Sequence, residues 1–236
     1  MKRRRASSGF TLVELLVALF AMALLAVMSW RGLDGMSRAQ AQTEARSDEM
    51  LTLQVGLAQW AADLDAVLEL PTTTLDWNGR VLRMTRRGTG RAADGAMVVA
   101  WTRRVVDGTG TWLRWQSPPI TTRGELDRAW QQADGWSRNP GDELKAREVA
   151  IMPLDEWQIF FFRGDAWTNP LSSDAPDAAA TSPVGAPPPA VSVPPGVTVA
   201  LVPDGVRLVL SLPPGPAIGG QLTRDWVKPT LGRARS

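Results

Sequence analysis

Apolar residues run almost unbroken from Phe10 to Trp30, with one acid, Glu14, near the start. As a helix rising 1.5 Å per residue, this stretch spans roughly 30 Å, the thickness of a bilayer core. From Arg31 the chain turns polar, through Asp34, Arg38, Glu44, Arg46, Asp48 and Glu49. Apolar residues then return at Met50, Leu53, Leu57, Trp60, Leu64 and Val67, in steps of three and four. That spacing is the core stripe of an amphipathic helix. No proline intervenes before Pro71. The pattern therefore predicts one long helix from about Thr11 to about Glu69, with Gly32, Gly35 and Gly56 as its weak points.

After Pro71 the period changes to two. Asp76-Trp-Asn78-Gly79 reads as a turn and Arg80–Thr85 as a strand. Met97–Val106 and Thr111–Gln116 form a hairpin across Asp107-Gly108, ended by Pro118-Pro119. Thr122-Arg-Gly-Glu125 is a capping-box pattern that opens a short helix to about Gln132. Ala146–Met152 and Glu156–Arg163 are further strands; the second is apolar on both faces, which predicts a central or doubly covered strand. Residues 170–196 are rich in Pro, Ala and Ser and read as a surface insertion. Val197–Val202 and Val206–Leu212 are expected to make a last hairpin around Pro203-Asp204-Gly205, with Gln221–Val227 as one more strand. The fold class is α+β: a long N-terminal helix packed on antiparallel sheet.

Composition narrows the chemistry. The 236 residues contain no Cys and no His, which removes thiol catalysis, histidine acid–base work and the usual zinc sites. Serines without histidine lack their usual base. The carboxylate pairs Asp63/Asp65 and Asp155/Glu156 read as a solvated helix face and a strand start. Asp174 and Asp177 lack calcium-loop spacing, and Arg87-Gly-Thr-Gly90 lacks the ending of a phosphate loop. No enzyme, cofactor or metal site is expected. The net charge is only +2, and Lys2, Arg3, Arg4 and Arg5 supply four positives, so no basic face for nucleic acid remains. Eleven Trp and no Tyr point to tryptophan as the aromatic of core and rim.

Three readings fit the N-terminus. A cleaved secretory signal would use Ala21-Met-Ala23 as its exit but has an acid in its core. A plain single-pass anchor also leaves Glu14 unexplained. The third takes Gly9, Phe10 and Glu14 together: the basic leader ending in Gly9, followed by Phe10-Thr-Leu-Val-Glu14, resembles the prepilin leader and N-terminal helix of type IV pilins and pseudopilins. Further stretches are similar to the J-type minor pseudopilin of type II secretion systems. These are Ser29-Trp-Arg-Gly-Leu-Asp34, Leu57-Ala-Gln-Trp-Ala-Ala-Asp-Leu64, Arg83-Met-Thr-Arg-Arg87, Trp112-Leu-Arg-Trp-Gln-Ser-Pro118, and Trp157-Gln-Ile-Phe-Phe-Phe162 followed by Asp165-Ala-Trp167. The insertion at 170–196 departs from that pattern.

The resemblance implies a map and a set of roles. Residues 1–9 are the leader, 10–30 the membrane half of the helix, 31–70 its amphipathic periplasmic half, and 71–236 a β-rich periplasmic domain. A prepilin peptidase cuts between Gly9 and Phe10 and methylates the new Phe10 amine. Glu14 serves assembly, Lys2–Arg5 stay cytoplasmic, and Leu12, Leu16 and Leu19 pack on partner helices. The implied partners are the I- and K-type minor pseudopilins, the major pseudopilin and the inner-membrane assembly platform. The implied role is at the pseudopilus tip, initiating assembly and supporting export of folded proteins, with the chain single-pass in the inner membrane. Two other readings stay open: a minor pilin of a type IV pilus or competence system, and a membrane-anchored periplasmic binding module.

Overall fold

The computed structural model describes residues 11–88, 95–172, 202–215 and 217–229. Its first element is the helix α1, Leu12–Asp65. The chain divides into two compact units, Met1–Asp48 and Glu49–Ser236. In the first, the described part of α1 is exposed at almost every position. In the second, the remainder of α1 packs into a β-rich domain, burying Leu53, Gly56, Trp60, Asp63 and Leu64. The helix stops at Asp65, short of Glu69, because the chain is captured by a strand: Arg87 N donates to Ala66 O, and Leu68 N to Thr85 O. Val67 thus forms a β-bridge to Arg86 and is not a helical position. Met50, expected on the core stripe, is 57% exposed.

Five strands form one antiparallel sheet in the order β1-β2-β3-β4-β5. They are β1 (Leu75–Trp77), β2 (Val81–Arg87), β3 (Ala96–Val106), β4 (Thr109–Gln116) and β5 (Glu148–Pro153). Between β3 and β4, Asp107 and Gly108 both take positive φ, 50° and 81°. Two such residues make the tight turn whose twist suits a hairpin. The second sheet, order β7-β6-β8-β9, holds β6 (Glu156–Arg163), β7 (Ala166–Thr168), β8 (Gly205–Leu212) and β9 (Gly220–Val227).

The expected hairpin of Val197–Val202 with Val206–Leu212 is not how β8 is paired. One edge of β8 is taken by β6, from Ser211 opposite Glu156 to Gly205 opposite Phe162. The other edge is taken by β9 along its whole length. No edge is left for a third partner; Val202 and Pro203 carry no strand, and residues 197–201 lie outside the described set, as do 173–196. Strand β6 is interior, as expected, yet only its Ile159 and Phe161 are fully buried. Phe160 and Phe162 are half-buried on the other face, where Phe162 meets Trp167 with ring centroids 5.3 Å apart.

Two hydrophobic clusters result. One joins Leu53, Trp60 and Leu64 of α1 to residues from both sheets, including Trp101, Trp112, Ile159 and Leu208. The other lies between the five-stranded sheet and α2, Arg123–Arg138, around Trp115, Ala133 and Trp136. Helix α2 extends past the expected end at Gln132, because Ala133 and Trp136 carry its apolar face onto β2 and β3. Its capping box is complete: Glu125 N donates to Thr122 Oγ1 at 3.3 Å, and Glu125 Oε2 accepts from Thr122 N at 3.0 Å. A short helix, α3 (Asp142–Lys145), leads into β5. Tryptophan dominates both clusters; the Trp101 and Trp112 ring centroids are 4.6 Å apart.

Candidate functional site

Of the residues expected to act at the N-terminus, Lys2, Arg3, Arg4, Arg5, Gly9 and Phe10 lie outside the described residues. Thr11 immediately precedes α1. Thr11 Oγ1 accepts from Glu14 N at 3.4 Å, and Thr11 O accepts from Leu15 N at 3.2 Å. Glu14 therefore stands in the first turn, where the exposed N–H groups of the helix end favour a negative charge. Among the described residues, no donor meets its carboxylate. Leu12, Leu16 and Leu19 follow at helical spacing on one face and are exposed at 75%, 57% and 56%. The apolar segment beginning here is long and apolar enough to cross a membrane. It gives way after Trp30 to pairs that suit water: Arg38 to Asp34 at 2.8 Å, and Gln40 Nε2 donating to Glu44 at 3.2 Å. Both join residues i and i+4 along the helix surface.

The other end of α1 holds a site that the sequence reading placed in solvent. Asp63 is fully buried. Its Oδ1 accepts from Gln59 Nε2 at 2.9 Å, from Arg114 Nη2 at 2.9 Å, and from Arg86 Nη1. Its Oδ2 accepts from Trp101 Nε1 at 2.9 Å and Arg114 Nε at 2.7 Å. One carboxylate thus gathers donors from α1, β2, β3 and β4. Such saturation is what permits a charge in a protein interior. The neighbouring Asp65, exposed by its position on the helix, accepts from Trp226 Nε1 of β9 at 2.7 Å. Glu49 accepts from Ala217 N at 2.8 Å, and Glu69 pairs with Lys228. Acids along and just beyond this part of α1 therefore receive donors from both sheets and their loops.

The expected solvated face at Asp63/Asp65 is overturned for Asp63. A legible signal was present: Leu53, Gly56, Trp60 and Asp63 are spaced by three, four and three, so Asp63 continues the core stripe. Gly56 also has a role other than weakness. A Cβ there would lie 2.6 Å from Ile151 Cγ2 and 3.1 Å from the Trp112 ring, so glycine admits the close approach of helix and sheet. Elsewhere, three donors at Thr121 and Thr122 hold the Glu125 carboxyl down to about 2, the Thr121 backbone N–H foremost. Arg207 holds Asp225 below the usual carboxylate range through two hydrogen bonds, both 2.7 Å. Asp155/Glu156 stands at the β5–β6 corner, where Asp155 N donates to Ser211 O. Asp174 and Asp177 lie outside the described residues.

Comparison with known proteins bears on the N-terminus first. Residues 4–30 match the family described as the prokaryotic N-terminal methylation motif. Over 64 residues the chain is 42% identical to the type II secretion system protein J of Klebsiella pneumoniae, a stretch that is 27% of this chain and 32% of that relative. The match thus spans about a third of the relative's length. No solved structure matches the chain. The chain therefore combines a prepilin-type methylation motif, an apolar N-terminal helix of membrane length, and antiparallel sheets in an α+β arrangement consistent with the pilin-like fold, and it is similar over part of its length to a type II secretion protein J.

Proposed function

We propose that this protein is a J-type minor pseudopilin of a type II secretion system: a structural, non-enzymatic subunit anchored in the inner membrane by the first part of α1, with its β-rich domain in the periplasm. One observation carries the reading. A methylation motif leads into an apolar, exposed helix whose first turn holds Glu14 without a donor among the described residues. Cleavage between Gly9 and Phe10 frees an amine next to that helix start, and the amine is then methylated. A carboxylate at membrane depth is costly alone and less so beside a cation. Glu14 pairs with the Phe10 amine, of its own chain or of a neighbouring subunit, as the subunit joins the fibre. Leu12, Leu16 and Leu19 supply the helix face that packs against neighbours. Lys2–Arg5 hold the leader on the cytoplasmic side until it is cut.

The partial likeness to a protein J favours a place near the pseudopilus tip, with I- and K-type minor pseudopilins, the major pseudopilin and the assembly platform as partners. There the complex initiates the pseudopilus and supports export of folded proteins. The test is Glu14→Leu in the full chain, with processing and incorporation measured separately. The variant is expected to be cut and methylated normally but to be lost from complexes purified through tagged I- and K-type partners. Incorporation equal to the parent's contradicts the role of Glu14. Co-purification of the parent with pilus-type minor pilins instead contradicts the assignment to secretion.

A further inference from the structure

Over residues 49–65, α1 is apolar on two opposite faces. Leu53, Gly56, Trp60 and Leu64 turn into the domain. Leu51, Val55, Ala58 and Ala62 turn to solvent, with Val55 67% exposed. At 100° per residue the centres of the two sets lie roughly half a turn apart. The outward set is the more uniformly apolar of the two. The inward face carries a glycine and, at Asp63, a charge. Burial of apolar area is non-directional. Trp60 and the two leucines give the inward face the larger area, but the outward face is apolar enough to be buried in its place. Area therefore favours the observed face but does not exclude the other.

The polar and steric features do. Gly56 offers the one notch into which Ile151 and Trp112 fit. The Asp63 carboxylate is the shared acceptor of Arg86 and Arg114, whose side chains are only 5% and 10% exposed. Turning the other face inward would withdraw that acceptor and leave two buried guanidinium groups without it, a strongly unfavourable state. Replacing a buried ion cluster of this kind by apolar groups is often neutral or stabilising, and in some proteins such polar groups serve instead to select one packing over another.

We propose that the Asp63 cluster is a register lock, which decides which apolar face of α1 enters the domain and so holds the Leu51–Ala62 face outward. Asp63 is a positioning residue, acting through the helix that carries it. The inference is independent of the assembly reading above. It is tested on the full chain in detergent, and the natural absence of cysteine allows spin labels at Ala58→Cys and Thr109→Cys without other changes. The parent is expected to give one narrow distance between the labels. The first variant, Asp63→Leu with Arg86→Met and Arg114→Met, replaces the cluster with apolar groups. It is expected to unfold cooperatively and to show a second distance, shifted by up to about 10 Å, the width of the helix. The second variant, Asp63→Asn, is expected to do the same and to exchange amide hydrogens faster over residues 49–65. A second distance in either variant that unfolds cooperatively upholds the lock. The proposal is overturned if every cooperatively unfolding variant keeps the parent's single distance, or if neither variant unfolds cooperatively, since the cluster would then supply stability and not choice of face.

Discussion

Two stretches of the same helix solve opposite problems. Through residues 12–30, α1 is apolar all round and buries nothing within the described chain. Its one acid, Glu14, has no donor there. Through residues 49–65, α1 is wedged into a folded domain, and its buried acid, Asp63, receives hydrogen bonds from Gln59, Arg86, Trp101 and Arg114. The contrast separates two meanings of a carboxylate in apolar surroundings. One whose donors are all in place belongs to the fold. One without a donor among the described residues can take its donor from another subunit. The glycines divide the same way. A Cβ at Gly32 or Gly35 meets nothing within 4 Å, whereas one at Gly56 meets the sheet.

Breaking the buried half should be the most damaging change. Asp63→Ala leaves Arg86 and Arg114 without their shared acceptor and is expected to cost about 3–5 kcal/mol of domain stability in urea unfolding. Glu14→Leu is expected to leave that unfolding curve unchanged. Equal effects of the two would erase the distinction between the acids. Gly56→Ala is expected next in size, at about 1–3 kcal/mol of destabilisation from overpacking against Ile151 and Trp112. Gly32→Ala and Gly35→Ala remove only the helix penalty of glycine. Each should raise α1 helicity, read by circular dichroism, through a propensity gain of up to about 1 kcal/mol. A destabilising Gly32→Ala would mean that this stretch is packed and not free.

A smaller effect tests the domain outside α1. Thr122→Ala removes the side-chain cap of α2 and is expected to cost about 1 kcal/mol, read from the unfolding midpoint. Its capping partner provides a pH test. The folded-state pKa of Glu125 is about 2, below its ordinary value of 4.5. The ionised form is therefore favoured by folding, and its contribution is complete above about pH 4.5 and disappears as pH falls toward 2. The stability gap between the parent and Glu125→Gln should be constant from pH 5 to 7 and close on acidification. A gap that widens in acid would reverse the assigned sign.

What could be read from the chain was whatever is encoded locally. The capping box at Thr122 and Glu125, the turn at Asp107-Gly108 and the apolar run from Phe10 each specify their structure within a few residues. Partners at a distance were hidden. Arg86 and Arg114 lie 23 and 51 positions from Asp63, and no periodicity links an arginine on a strand to an acid on a helix. Yet Gln59 and Asp63 lie in Leu57–Leu64, Arg86 in Arg83–Arg87 and Arg114 in Trp112–Pro118, three of the stretches that resemble the J type. Those stretches are where the helix is bolted to the sheet. The mispairing of β8 has a similar origin: alternation identifies a strand but not its neighbours, and β8 pairs with β9, the next strand in the chain, and with the distant β6, not with the segment just before its own turn.

Everything proposed for Glu14 depends on the N-terminus being processed for assembly. Its most direct test is mass spectrometry of the N-terminal peptide from protein made in a host with a prepilin peptidase. The expected result is a chain beginning at Phe10 with a methylated amine. A chain that keeps Met1, or one cut after Ala23, would contradict it.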